Sequence, residues 1–227
     1  MSNKKQKLTF VQGLKAQFST KSLVLIPIAV GINLIGGTLA STLKLPLFLD
    51  MIGTILSAAL AGPWVAALVG FLTNIFLALV SNPIYVPYSL VSIAAGLITG
   101  YMIKAGLFKK TWGVILTWLV VTFSSVVISS CITIFVFGGA TGATGTSVLT
   151  AGLIAATKDI VKSVFASSMI ENLADRAIAF AIAYVLLKRI PKRFLSQYAV
   201  DSADEDEDDD GWRDKERWQR HPTIYQW

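Results

Sequence analysis

Residues 51–103 read MIGTILSAALAGPWVAALVGFLTNIFLALVSNPIYVPYSLVSIAAGLITGYMI and contain no acidic or basic side chain. A helix that crosses the hydrocarbon core of a bilayer needs about 20 predominantly apolar residues. The segment is too long for two simple spans, and Gly62-Pro63 and Asn82-Pro83 divide it, because glycine and proline interrupt helices. The pattern predicts three helices, at about 47–61, 64–80 and 87–104.

Uncharged stretches of similar character lie on both sides of this segment. One runs between Lys21 and Lys44 and predicts a single spanning helix. Another runs between Lys110 and Lys158 and contains one helix, followed by a loop rich in glycine and threonine. Outside residues 51–103, the pattern predicts helices at about 23–42, 111–137 and 160–189. Residues 148–158 can form a short helix before the last one. The total is six spans, so the predicted fold class is an all-α membrane protein.

The composition fits a chain that lies largely in a membrane. Of its 227 residues, 54% are hydrophobic and only 15% are charged, and the mean hydropathy is +0.62. A soluble domain usually has about a quarter charged residues. These values exclude a disordered protein, a disulfide-stapled secreted domain and an ordinary cytosolic enzyme. The bases behind the net charge of +6 stand at the ends of apolar runs and form no stripe with interleaved aromatic residues, so nucleic-acid binding is excluded too.

The sequence offers no motif for catalysis, for metal binding or for a resident cofactor. Its one cysteine, Cys131, stands inside an apolar run, and its one histidine, His221, stands in the polar C-terminal tail. The HExxH, GxSxG and Walker motifs do not occur. We therefore predict that the protein is not an enzyme and binds no metal or cofactor. Energy for uphill transport would have to come from another subunit or from an ion gradient.

The distribution of basic residues predicts that both termini lie in the cytoplasm. Cytoplasmic loops of membrane proteins carry an excess of Lys and Arg. With both termini inside, twelve bases fall on the inner side and three on the outer side. The inner set is Lys4, Lys5, Lys7, Lys15, Lys21, Lys104, Lys109, Lys110, Lys188, Arg189, Lys192 and Arg193, and the outer set is Lys44, Lys158 and Lys162. The predicted domains are a cytoplasmic or interfacial segment at 1–22, a six-helix transmembrane domain at 23–192 and an acidic, disordered tail at 193–227.

Four polar residues interrupt the apolar character of the last predicted helix: Glu171, Asn172, Asp175 and Arg176. Glu171 and Asp175 are four residues apart and therefore share one helix face. An ionisable group inside a membrane-spanning helix raises the free energy of the protein in the bilayer by at least about 2.5–3.5 kcal/mol unless it is paired or hydrated. The cluster predicts either polar contacts to a ligand in a cavity or ion pairs that fix helix packing. For Arg176 alone, the packing role is favoured.

Other polar residues stand near the predicted outer ends of the helices or inside them. Asp50 begins the second helix, Asn74 lies within the third, and Tyr85 and Tyr88 follow the break at Pro83. Each has a structural alternative: Asp50 can cap a helix, Asn74 can bond to a neighbouring helix, and the tyrosines can anchor at the membrane interface. The candidates for substrate binding are Asp50, Asn74, Tyr85, Tyr88, Glu171, Asn172 and Asp175.

Three stretches of the sequence resemble the substrate-binding (S) components of energy-coupling factor transporters. They are Lys44-Leu-Pro-Leu-Phe-Leu-Asp50-Met-Ile-Gly-Thr-Ile-Leu, Ala61-Gly-Pro-Trp-Val-Ala-Ala-Leu-Val-Gly70-Phe-Leu-Thr-Asn74 and Ile170-Glu-Asn-Leu-Ala-Asp-Arg176. The resemblance covers about residues 20–192 and implies a six-helix bundle in a prokaryotic cytoplasmic membrane. It also implies that residues 23–192 capture a vitamin or similar micronutrient near the outer face, in a pocket that contains the candidate residues.

The resemblance further implies that this subunit works with a membrane coupling protein and two ATPases, and that it delivers its substrate by reorienting in the bilayer. The family often has an Ala-x-x-x-Ala pattern in its first helix for docking to the coupling protein. The comparable positions here are Ala29, Asn33 and Gly37, with Asn33 in place of the second small residue. The docking face implied by the resemblance is therefore centred on Ala29.

Two other functions are compatible with the residues. A stand-alone secondary transporter would use Glu171 or Asp175 as a proton relay, although the sequence contains no convincing internal repeat of the kind that many such transporters have. A membrane sensor or assembly factor would use the tryptophan-containing tail at 201–227 as its output. The import subunit is the leading prediction.

Overall fold

The structure, a computed structural model, describes residues 17–142 and 145–190, and this part of the chain contains seven complete α-helices and no strand. The helices are α1 (Thr20–Thr42), α2 (Ile52–Ala61), α3 (Pro63–Val80), α4 (Tyr85–Lys104), α5 (Thr111–Phe135), α6 (Gly145–Thr157) and α7 (Ile160–Arg189). A short 3-10 helix, Leu107–Lys109, precedes α5. The predicted all-helical fold is confirmed. The predicted tail at 193–227 and most of the segment at 1–22 lie outside the described residues.

Local sequence determines where the helices begin. Helix α3 starts at Pro63, where the missing N–H removes no helical hydrogen bond. The preceding Gly62 has a φ of 95°, which favours glycine. Helix α7 is capped by Asp159, whose carboxylate accepts a hydrogen bond from the Lys162 backbone N–H at 3.1 Å. That hydrogen bond holds the pKa of the Asp159 carboxyl below its usual range.

Helix α2 is shorter than predicted, because it begins at Ile52 rather than near residue 47. The preceding residues, which we call segment 44–51, are not helical. Within this segment Lys44 and Leu49 have φ angles of 50° and 52°. Such left-handed conformations cannot continue a helix, and each costs about 1–3 kcal/mol at a residue other than glycine. The segment must therefore be held in place by contacts elsewhere in the fold.

Helix α2 lies at the centre of the bundle. Every residue from Gly53 to Leu60 is buried, and α2 packs against α1, α3, α4 and α7. Around it, α3 packs on α4, α4 on α5 and α5 on α7, while α6 packs on the first half of α7. Since α2 is so short, the end of the bundle at which α2 begins is occupied by segment 44–51 rather than by helix.

Four of the described helices are long and apolar enough to cross a membrane: α1, α3, α4 and α5. Helix α7 has 30 residues, about 45 Å at a rise of 1.5 Å per residue, but its charged residues lower its hydropathy. Helix α2 has only 10 residues, about 15 Å, which is half of a hydrocarbon core of about 30 Å. Of the six predicted spans, four therefore correspond to helices that are long and apolar enough to cross a membrane.

Helices α3 and α4 approach each other closely at Gly96. A Cβ atom added there would lie 2.8 Å from the carbonyl carbon of Ala66, which is closer than real Cβ contacts. We expect Gly96→Ala to lower the free energy of unfolding by about 1–3 kcal/mol, the usual cost of overpacking. The measurement is the Tm of the purified protein in detergent.

The matched control for this prediction is Gly152→Ala in α6, because a Cβ atom at Gly152 meets nothing within 4 Å. Alanine has a higher helix propensity than glycine, so the control should keep or raise the Tm. Equal Tm values for the two variants would show that α3 and α4 have room for the additional methyl group.

Candidate functional site

A cavity opens between α4, α5, α7 and segment 44–51, with the first turns of α6 along one side. It encloses about 750 Å³, a volume that includes the space at its open mouth. It lies where α4 begins and α5 ends. These are the helix ends that the charge distribution of the sequence assigns to the outer side.

The cavity has three chemically different walls. Helix α4 supplies an aromatic and apolar wall from Tyr85, Tyr88 and Val91, with Ser92. Helices α5 and α6 and the residues between them supply hydroxyl groups from Ser129, Thr133, Thr141, Thr146, Ser147 and Thr150. Helix α7 and segment 44–51 supply a charged wall from Asp50, Glu171 and Arg176, with Phe48, Ser168 and Asn172.

The charged wall follows from the spacing of polar residues along α7. Glu171, Asn172, Asp175 and Arg176 occupy adjacent positions on successive turns, so they project from one side of the helix. All four are buried, with exposed fractions of 6%, 3%, 0% and 3%. The polar side of α7 therefore faces the bundle and the cavity rather than the surface.

Asp175 holds segment 44–51 against α7. Its Oδ1 accepts hydrogen bonds from the backbone N–H groups of Phe48 at 2.9 Å and Leu49 at 2.8 Å. Its Oδ2 accepts a hydrogen bond from Nη1 of Arg176 at 2.8 Å. Because both oxygens are used within the protein, Asp175 acts as a support for the cavity wall.

Asp50 is brought to the cavity by the segment that Asp175 holds. Its Oδ1 lies 3.7 Å from Nη1 of Arg176, close enough for an ion pair but too far for a hydrogen bond. The three charged side chains form a chain in which Arg176 is paired with Asp175 and is also near Asp50. Glu171, which also lines the cavity, has no ion pair with any residue that the structure describes.

Three charged side chains on the cavity wall have an atom without a hydrogen-bond partner. These atoms are Oδ1 of Asp50, Oε1 of Glu171 and Nε of Arg176. Buried polar atoms in native proteins are nearly always partnered, by protein, water or ligand. The charged wall therefore presents two acceptors and one donor for which a solute in the cavity could provide partners.

Two polar residues that line the cavity also join the helices around it. The amide nitrogen of Asn74 donates hydrogen bonds to the Gly70 carbonyl at 3.0 Å and to the Ser92 hydroxyl at 2.8 Å, and so links α3 to α4. The hydroxyl of Tyr88 lies 2.6 Å from that of Thr133 and links α4 to α5. These bonds fix the orientation of side chains on the cavity wall.

The structure brings six of the seven candidate residues together around the cavity: Asp50, Asn74, Tyr85, Tyr88, Glu171 and Asn172. Asp175 does not line it, because its carboxylate is turned to the backbone of segment 44–51 and to Arg176. Conversely, Arg176, favoured as a packing residue in the sequence, does line the cavity. The hydroxyl wall was not predicted, since Ser and Thr are frequent in membrane helices and give no distinctive signal.

The structure also places the residues of the implied docking face. Ala29, Asn33 and Gly37 are all buried, on the side of α1 that packs against α2 and α3. The Asn33 amide nitrogen donates to the hydroxyls of Thr54 and Thr73, and its oxygen accepts from the Gly53 N–H. These three residues form an internal helix contact, and α1 is exposed on its other side; their docking role stays a prediction.

Within residues 17–142 and 145–190, no group of three His, Cys, Asp or Glu side chains is arranged to hold a metal ion. The donor set of the cavity consists of carboxylates, one guanidinium, amides and hydroxyls around aromatic rings. Concave sites with an apolar wall and a few placed polar groups are typical of small-molecule binding.

Comparison with known protein families matches most of the chain. The family model described as "ECF transporter, substrate-specific component" matches residues 21–187. The matched range contains nearly all of α1 and α7, every helix between them and the whole cavity wall. No curated protein and no solved structure matches the chain significantly.

Proposed function

Because the chain belongs to the family of ECF transporter substrate-specific components, we propose that its cavity captures a vitamin or similar small micronutrient from outside the cell. The protein is a multi-pass membrane protein of a transport family, not of an enzyme family. The observation that carries the proposal is the set of unpartnered polar atoms on Asp50, Glu171 and Arg176 around one cavity. A bound solute would supply their missing partners.

The proposed topology has six membrane crossings with both termini in the cytoplasm of a prokaryotic cell. The four long apolar helices are joined by α7, whose buried residues Glu171, Asn172, Asp175 and Arg176 face the bundle and the cavity instead of lipid. The remaining crossing is made by α2 together with segment 44–51. Phe48 and Asp50 of this segment line the cavity and Met51 is buried, and backbone in such surroundings does not need to be helical. The distribution of twelve inner and three outer bases supports this orientation.

The proposed partners are a membrane coupling protein and two ATP-binding subunits, with the lipid bilayer around the bundle. ATP hydrolysis by those subunits would drive reorientation of this chain, which would carry the bound solute to the cytoplasmic side. The protein's own residues would supply the binding site and the docking surface.

We place the docking surface on the exposed side of α1. Val24, Ile28 and Ile35 have exposed fractions of 59%, 56% and 74%, and they lie on one helix face with Gly31 between them. A Cβ atom at Gly31 would meet nothing within 4 Å. Gly31 is thus a position where another helix could approach the backbone of α1 closely.

We expect Gly31→Leu to abolish copurification with the coupling protein and the ATPases, because the leucine side chain would fill the close approach. Ligand binding by the isolated subunit and its Tm should stay the same, since a Cβ atom at Gly31 has open space around it. Gly152→Leu is the matched control, as another open glycine on a helix. Undiminished copurification of Gly31→Leu would place the docking surface elsewhere.

The proposed function is tested by reconstitution in proteoliposomes, with the chain either alone or together with a coupling protein and two ATPases. Accumulation of a micronutrient that requires ATP and the complete complex would support it. Uptake by the chain alone that follows a proton gradient would instead indicate a secondary transporter. The unpartnered Glu171 carboxylate in the cavity is the observation that favours this second candidate.

A further inference from the structure

The charges around the cavity are not balanced. Three buried carboxylates, of Asp50, Glu171 and Asp175, are accompanied by one buried guanidinium, that of Arg176, which lies near Asp50 and Asp175. The other basic residues of α7 and of segment 44–51 are outside the cavity lining. The charged wall therefore carries an excess of negative charge when its carboxylates are ionised.

The Arg176 guanidinium is already engaged within the protein. Its Nη1 donates a hydrogen bond to Asp175 at 2.8 Å and lies 3.7 Å from Asp50. Asp175 thus neutralises Arg176, and Asp50 has only a distant share of the same cation. Glu171 has no cation among the described residues. An acidic solute would meet these two carboxylates, and the one cationic group on the cavity wall, Arg176, already shares its charge with Asp175 and offers only its Nε side.

The unpartnered atoms point to the same chemistry. Oδ1 of Asp50 and Oε1 of Glu171 are acceptors and require donors, while Nε of Arg176 is one donor that requires an acceptor. Tyr85 and Tyr88 also line the cavity and contribute aromatic rings. Rings of this kind attract cations and pack on planar groups. The hydroxyl wall can donate or accept, so it does not discriminate between solutes.

Resting on the proposed function, we propose that the substrate is a cationic nitrogen base. Its N–H groups donate to Asp50 and Glu171, its planar part lies along Tyr85 and Tyr88, and one acceptor atom bonds to Nε of Arg176. Carboxylic acids and phosphorylated compounds would bind less well whenever these two carboxylates are ionised, because desolvated like charges repel strongly.

The test uses the full-length protein in detergent and, as the probe, the small-molecule fraction of a yeast extract. Molecules that stay bound after washing are released by denaturation and identified by mass spectrometry, and the pure compound is then titrated back by calorimetry. We expect a base that is protonated at neutral pH. Hydrogen bonds to charged groups contribute about 1.5–3 kcal/mol, so Glu171→Gln and Asp50→Asn should each raise its Kd by about 10-fold to 150-fold.

Asp159→Asn is the matched control, since it makes the same carboxylate-to-amide change at a helix cap outside the cavity and should leave the Kd unchanged. If Asp50→Asn does not fold, Glu171→Gln alone decides, because Glu171 holds no described ion pair. Capture of an acid, or wild-type affinity in Glu171→Gln, would overturn the inference and leave the proposed function standing. No capture and no ATP-dependent uptake would overturn both.

Discussion

Replacing Asp175 with alanine is expected to destabilise the protein by about 3–5 kcal/mol, the cost of removing one partner from a buried ion pair. Asp175 is fully buried, and its Oδ2 accepts a hydrogen bond from Arg176 at 2.8 Å. Without it, the guanidinium would remain buried with only Asp50, at 3.7 Å, as a counter-charge. The measurement is the unfolding midpoint in detergent, compared with that of the wild-type protein.

The same substitution is expected to raise the substrate Kd by at least about tenfold, or 1.4 kcal/mol. Asp175 accepts the backbone N–H groups of Phe48 and Leu49, and Leu49 has a φ of 52°. A residue in this conformation relaxes when nothing holds it. Relaxation of segment 44–51 would move Asp50 and Phe48 away from the cavity, so the loss of affinity would arise without any direct contact between Asp175 and the solute.

A second variant, Asp175→Asn, separates the two roles of the carboxylate. Asparagine keeps an acceptor oxygen for the two backbone N–H groups but removes the negative charge beside Arg176. It should therefore lose stability while it retains more of the affinity than Asp175→Ala does. If Asp175→Ala melts at the wild-type temperature and binds equally well, Asp175 supports neither the ion pair nor segment 44–51.

The positions of the helices could be predicted because charges and helix breakers mark them directly. The break at Gly62-Pro63 is where α2 ends and α3 begins, and the charge-free stretch after Lys110 becomes α5. The start of α2 could not be predicted in this way. Segment 44–51 is largely apolar, and its non-helical backbone is held by Asp175, far along the chain, which accepts hydrogen bonds from the N–H groups of Phe48 and Leu49.

The candidate site could be predicted only as a group of residues, not role by role. Polar residues within an apolar helix must face the interior, which is enough to select Glu171, Asn172 and Asp175. Their individual roles depend on what lies opposite each one. Asp175 faces the backbone of segment 44–51, whereas Glu171 faces the cavity. The spacing of residues within α7 does not predict that difference.

The role of Asn33 could not be predicted from the sequence either. Its substitution is expected to be among the most destabilising outside the cavity. The family resemblance implies a docking role for this position, but the side chain is 0% exposed and bonds to two neighbouring helices. Its amide nitrogen donates to Thr54 at 2.9 Å in α2 and to Thr73 at 3.1 Å in α3. Its oxygen accepts from the Gly53 N–H at 2.7 Å.

We expect Asn33→Leu to lower the free energy of unfolding by about 2–4 kcal/mol. Leucine has the same branched shape and a larger volume, so the loss would come from hydrogen bonds and tighter packing rather than from a void. The Gly53 N–H stands in the first turn of α2, where no helical carbonyl is available to it. Leaving such a buried donor unpaired costs about 1–3 kcal/mol, and the lost bonds to the two threonines add to this. Thermal unfolding in detergent measures the change.

Thr73→Val is the graded control, because it removes one acceptor of Asn33 and leaves the bond to Thr54 in place. It should cost less than Asn33→Leu. The two interpretations of Asn33 then predict opposite results. A docking residue would leave the Tm of the isolated subunit unchanged and abolish copurification with the coupling protein. An internal residue would lower the Tm and leave the Kd for substrate unchanged in the folded fraction, since Asn33 is not part of the cavity wall. The burial of Asn33 and its three hydrogen bonds predict the second result.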